Sequence, residues 1–87
     1  MADPLTILRS THPGLRWRSG CPACEGTDAI GTIILGYTDE DPPEYSFLVA
    51  VDGRRYTERG AAPIGVVAAE LVDLRRAIGW PVEVSRD

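Results

Sequence analysis

Tyr45-Ser46-Phe47-Leu48-Val49-Ala50-Val51, then Asp52-Gly53, then Arg54-Arg55-Tyr56-Thr57 is the stretch that leaves this chain least choice. Its aromatic and branched residues at 45, 47, 49 and 51 recur with period two, as in a strand with one buried side. An Asp-Gly pair between two such runs selects a type I′ turn, because both central residues of that turn need positive φ. The result is an antiparallel hairpin. The rest of the chain must then supply what covers it.

A cover is predicted directly downstream. Ile64, Val67, Ala68, Leu71, Leu74 and Ile78 fall on one apolar stripe of a helix over 63–78. Pro63 suits the start of that helix, and Gly79 suits the residue just past its end. Arg75 and Arg76 lie in the last turns, where positive charge complements the helix dipole.

Upstream, Thr32-Ile33-Ile34-Leu35-Gly36-Tyr37 is nearly continuous in apolar residues and reads as a central strand covered on both faces. Leu15-Arg16-Trp17-Arg18 alternates and reads as a short strand, with Leu15 and Trp17 on one side. Leu5 to Ser10 reads as a first strand after a loose terminus at 1–4. Trp80-Pro81-Val82-Glu83-Val84 reads as a short closing strand, kept to a sheet edge by Pro81. The expected fold class is α+β: an antiparallel β-sheet of four to five strands, with one C-terminal amphipathic helix packed on one face. Eighty-seven residues make this a single domain over 1–87.

Both cysteines lie in Ser19-Gly20-Cys21-Pro22-Ala23-Cys24-Glu25-Gly26. A C-x-x-C turn brings two sulfurs to one side, and Pro22 and Gly26 suit its tight ends. The run resembles half of a zinc ribbon, with the glycine one residue late. That resemblance implies a structural zinc ion, which needs four ligands. His12, the one histidine, is the candidate third ligand beside Cys21 and Cys24, with Glu25 or Asp28 as an oxygen donor. Alternatively, two chains each contribute the cysteine pair on a dimer axis, or the cysteines are small apolar residues in a turn. Cys-Pro-x-Cys is also similar to the active turn of glutaredoxins, which implies a thiol-disulfide enzyme. Such an enzyme places its first cysteine at a helix N-terminus, and nothing helical follows Cys24.

Asp39-Glu40-Asp41-Pro42-Pro43-Glu44 reads as an exposed acidic loop at a hairpin tip, without the spaced oxygens and central glycine of a calcium loop. All nine basic residues are arginine, which codon bias in a GC-rich bacterial or phage genome explains. A net charge of −4 argues against undirected nucleic-acid binding. The N-terminus starts acidic and lacks an apolar h-region, so a cytoplasmic location is expected, where close cysteines favour thiols or metal over a disulfide.

No phosphate loop or nucleophile motif is present, and no set of titratable residues converges. The function expected is therefore a small non-catalytic binding, assembly or regulatory module, acting with a protein partner or as a homodimer. One helix covers one sheet face and leaves the other for a partner. Arg16-Trp17-Arg18 and Arg54-Arg55-Tyr56 are the candidate partner-binding residues, since each mixes cations with an aromatic ring. The same two clusters support the alternative of a nucleic-acid-binding module that stacks bases and holds phosphates.

Overall fold

The computed structural model describes residues 4–19, 23–57 and 60–82. Its elements run α1 (Pro4–Thr11), β1 (Arg16–Ser19), β2 (Ala23–Thr27), β3 (Gly31–Tyr37), β4 (Tyr45–Val51), β5 (Arg54–Thr57) and α2 (Ile64–Ala77). The five strands form one antiparallel meander in the order β1-β2-β3-β4-β5. The α+β class, the open antiparallel sheet and the C-terminal helix are as the sequence predicts.

The hairpin between β4 and β5 closes through Asp52 at φ 50° and Gly53 at φ 77°, the two positive values a type I′ turn demands. Helix α2 packs Val67, Ala68 and Leu71 against the sheet, with Ile64, Leu74 and Ile78 partly buried beside them. Gly79 at φ 80° lets the chain leave the helix, and the amide of Trp80 returns to the Arg75 carbonyl at 2.8 Å.

Four expectations need correction. Residues 5–10 are helical, so two helices pack on the sheet instead of one. Helix α1 meets α2 and β1 and buries Leu8 completely, and that packing outweighs the β propensity of Thr6 and Ile7. Second, β2 forms from Ala23-Cys24-Glu25-Gly26-Thr27, a run with little β propensity. Gly26 is there because the Trp17 indole lies across it: a Cβ at 26 would stand 2.6 Å from the ring. Third, β3 is covered on one side only; Ile33 and Leu35 are fully buried, while Ile34 is 37% exposed. Fourth, Trp80 to Val82 form no strand. Trp80 turns inward instead, 1% exposed, and the remainder of the expected closing strand lies outside the described residues.

Pairing sorts the side chains into two faces. Trp17, Gly26, Ile33, Val49 and Tyr56 form one row across the sheet, on the face that both helices cover. Neighbouring positions form two rows on the other face: Arg18, Glu25, Ile34, Leu48, Thr57, and Arg16, Thr27, Thr32, Ala50, Arg55. Neither helix reaches that second face.

Candidate functional site

His12 follows α1 and is completely buried. Its Nδ1 lies 2.8 Å from Nη1 of Arg75, and its Nε2 lies 3.2 Å from the Ala68 carbonyl. An arginine is always protonated and can only donate, so Nδ1 accepts and the neutral ring carries its proton on Nε2, which donates to Ala68. Burial holds the His12 pKa down to about 4; the Ala68 hydrogen bond opposes this and the Arg75 charge reinforces it. The histidine is neutral because the interior would not tolerate a second cation beside Arg75.

Arg75 is 1% exposed. Besides His12, it donates through Nη2 to the Pro81 carbonyl, and its guanidinium lies 4.6 Å from the centre of the Trp80 ring. The Trp80 indole N–H in turn donates to Asp28 Oδ2 at 2.9 Å. The other Asp28 oxygen accepts from the amides of Ile30 and Gly31 and shapes the turn between β2 and β3. Burial alone would raise the Asp28 pKa, but the hydrogen bonds from Trp80, Gly31 and Ile30 and the Arg75 charge hold it below 3.8. One connected path therefore ties the end of α1, the last turn of α2, the segment after it and the β2–β3 turn. These polar groups are occupied in holding the fold.

That arrangement decides where the sequence-predicted site residues go. Both ring nitrogens of His12 are engaged inside the core, by the Ala68 carbonyl and by Arg75. Cys24 is 8% exposed and belongs to the apolar cluster on the helix-covered face. Cys21 lies outside the described residues. Among the described residues, no three His, Cys, Asp or Glu side chains stand close enough to share a metal ion. Cys24 sits in a strand, and the next element along the chain is another strand.

The two arginine clusters are at opposite sheet edges, about 19 Å apart across four strand spacings. Trp17 is 8% exposed in the core, its indole N–H donating to the His12 carbonyl at 3.1 Å. Tyr56 is half-buried on the same covered face as Trp17, and Arg54 shares that face. Arg16, Arg18 and Arg55 point the other way. The aromatics and most of the arginines are thus on opposite sides of the sheet, as period-two alternation requires.

The open face has its own character. Ile34 and Leu48 sit at its centre, flanked by a hydroxyl pair, Thr27 and Thr32, at 2.9 Å. Near β1, Arg16, Trp17, Arg18, Glu25 and Thr27 border a depression of about 350 Å³. Arg18 and Glu25 form an exposed ion pair at 3.6 Å. The two described rows carry three arginines against one glutamate, in a protein whose net charge is −4. No described helix is long and apolar enough to cross a membrane. No protein-family model matches the chain, and searches of curated proteins and of solved structures found no similar one.

Proposed function

We propose that this protein is a small non-catalytic binding module that docks an acidic protein partner on the open face of its sheet. The observation that carries this reading is the placement of both helices on one side, which leaves Ile34 and Leu48 accessible between Arg16 and Arg18 at one edge and Arg55 at the other. A small apolar centre with charged surroundings is the usual composition of a protein interface. The local excess of arginine selects for carboxylates in the partner, which a planar guanidinium grips in pairs.

The same charge pattern disfavours a two-fold dimer through this face. A face-to-face pairing of two copies with their strands aligned sets arginine edges against arginine edges, and like charges opposed in an interface are costly. A zinc site shared between copies would further need Cys24 at the surface. Nucleic acid is the second reading, supported by the same arginines, but the aromatic rings that would stack bases lie on the covered side.

A titration of the ¹⁵N-labelled protein with a peptide of alternating glutamate and leucine tests the proposal. Amide shifts should concentrate on β1, β3 and β4, and should vanish in Arg16→Glu/Arg18→Glu. A stronger response of the same residues to single-stranded oligonucleotide would favour the second reading. A response to neither would sink both.

A further inference from the structure

The molecule has a second concave surface, on the helix-bearing side and away from the arginine face. Pro4 and Ile7 of α1, Pro42 and Pro43 of the β3–β4 loop, Tyr45 of β4, and Pro63 and Ile64 at the start of α2 surround a pocket of about 230 Å³. Four of the chain's seven prolines line it. Proline has no backbone N–H, so these walls offer methylene groups and little that needs a hydrogen bond. Tyr45, 5% exposed, is the buried member of the set.

The walls are fixed by backbone bonding. The Thr38 amide donates to the Glu44 carbonyl at 2.9 Å, and the Thr38 hydroxyl accepts from the Glu44 amide at 3.1 Å, closing the base of the loop. Tyr45 and Ala62 exchange amide and carbonyl at 2.7 and 2.9 Å, which holds Pro63 beside the β4 strand. A pocket built this way needs little reorganisation to accept a ligand.

No lining residue is charged, but the loop that supplies Pro42 and Pro43 also carries Asp39, Glu40, Asp41 and Glu44 around them. We infer that this pocket is a docking site for a basic peptide segment of a partner protein. One aromatic or branched apolar side chain of the peptide fills the space between the prolines, while lysines or arginines on either side of it meet the acidic loop. Size decides against a drug-sized molecule, whose pockets run roughly 300–1,000 Å³. A second copy fits less well, because the apolar groups beside Arg16, Arg18 and Arg55 are Ile34 and Leu48 at the centre of a sheet face, not side chains on an extended segment that could enter the pocket.

The inference goes beyond the sheet-face reading and does not depend on it. The probe is a fluorescein-labelled peptide with one tryptophan between pairs of lysines, followed by anisotropy at low ionic strength. The Asp39→Lys/Glu40→Lys variant, changed only at exposed loop positions, should bind about tenfold more weakly, as two lost surface ion pairs imply. Ile7→Gln and Pro63→Gln, which alter the walls and leave the loop alone, should weaken binding as well. Replacing the peptide tryptophan by serine should do the same, whereas Arg16→Glu/Arg18→Glu should not, which separates this site from the sheet face. Equal affinity for the serine peptide, or unchanged affinity in all three pocket variants, would overturn the inference. So would a concentration-dependent dimer that Ile7→Gln abolishes, since the occupant would then be a second copy.

Discussion

Arg75 donates to the Nδ1 of His12 from sixty-three residues away, with both side chains withdrawn from solvent. The bond joins the two helices at their ends, on the side of the sheet that carries the core. It also fixes the tautomer and the charge state of the only histidine, because an arginine leaves its partner no choice but to accept. A cation and a neutral imidazole together cost less to bury than two cations would.

Stability should therefore depend on pH in a defined window. The folded His12 pKa is about 4 against an ordinary 6.5, so between those values the unfolded chain binds more protons than the folded one. Stability is then complete above 6.5, falls as pH drops toward 4, and gains no further loss from this group below that. The whole effect is on the order of a few kcal/mol. Asp28 acts separately: its pKa is held below 3.8, so its contribution is present above that value and disappears as pH falls through the lower folded one. Urea midpoints measured from pH 8 to pH 4 should decline below 6.5 in the wild type. A His12→Gln variant should lose most of that slope; an unchanged slope would place the titration elsewhere.

Arg75 should be hard to replace. Arg75→Ala strands the His12 nitrogen and the Pro81 carbonyl and removes the cation from the Trp80 face, at about 2–4 kcal/mol. Arg75→Lys should recover little, since an ammonium lacks the planar fork that reaches two acceptors while stacking on a ring. Arg76→Ala, at the exposed neighbouring position, should stay within about 0.5 kcal/mol. Denaturant midpoints of the three variants provide the comparison, and equal losses at 75 and 76 would contradict it.

The first helix offers a similar test of packing. Leu8 and Leu71 are each fully buried, one on each helix. Leu8→Ala and Leu71→Ala should each cost about 2–5 kcal/mol, while Asp73→Ala, on the exposed side of α2, should cost well under 1 kcal/mol. A harmless Leu8→Ala would mean that α1 is not part of the core.

These residues also mark where the sequence was readable. The Asp52-Gly53 hairpin and the α2 stripe were legible because each rests on local chemistry: a turn needing positive φ, and a repeat of 3.6. Helix α1 was not, because Leu5 and Ile7 fit alternation as Leu5 and Leu8 fit a helix, and its contacts with α2 and β1 are long-range. Arg75 sits four residues after Leu71 and so falls on the α2 stripe, a signal that was available. Spacing alone relates it to the helix dipole, because its partner, His12, lies too far along the chain to be paired that way. The C-x-x-C spacing suggests a turn, yet Cys24 points into the core through strand alternation that a Gly-containing run conceals.

Gly26 and Gly36 separate two reasons for glycine in a strand. A Cβ at 26 would come within 2.6–2.7 Å of three Trp17 ring atoms, and Trp17 is itself tied to the His12 carbonyl and packed edge-on to its ring. The indole can yield only by disturbing the segment that delivers His12 to Arg75. Gly26→Ala should thus destabilise by about 1–3 kcal/mol, the usual cost of overpacking a filled core. It should also shift the pH dependence, since a displaced His12 regains a more ordinary pKa. At Gly36, on the open face, the nearest atom to an added Cβ is the Ser46 hydroxyl at 3.9 Å, and the backbone conformation suits any residue. Gly36→Ala should be neutral or stabilise by up to about 1 kcal/mol, through the lower entropy of the unfolded chain. Thermal melts of both variants at pH 5 and pH 7.5 would show the contrast. A Gly26→Ala protein as stable as wild type at both values would mean that the Trp17 ring does not rest on β2.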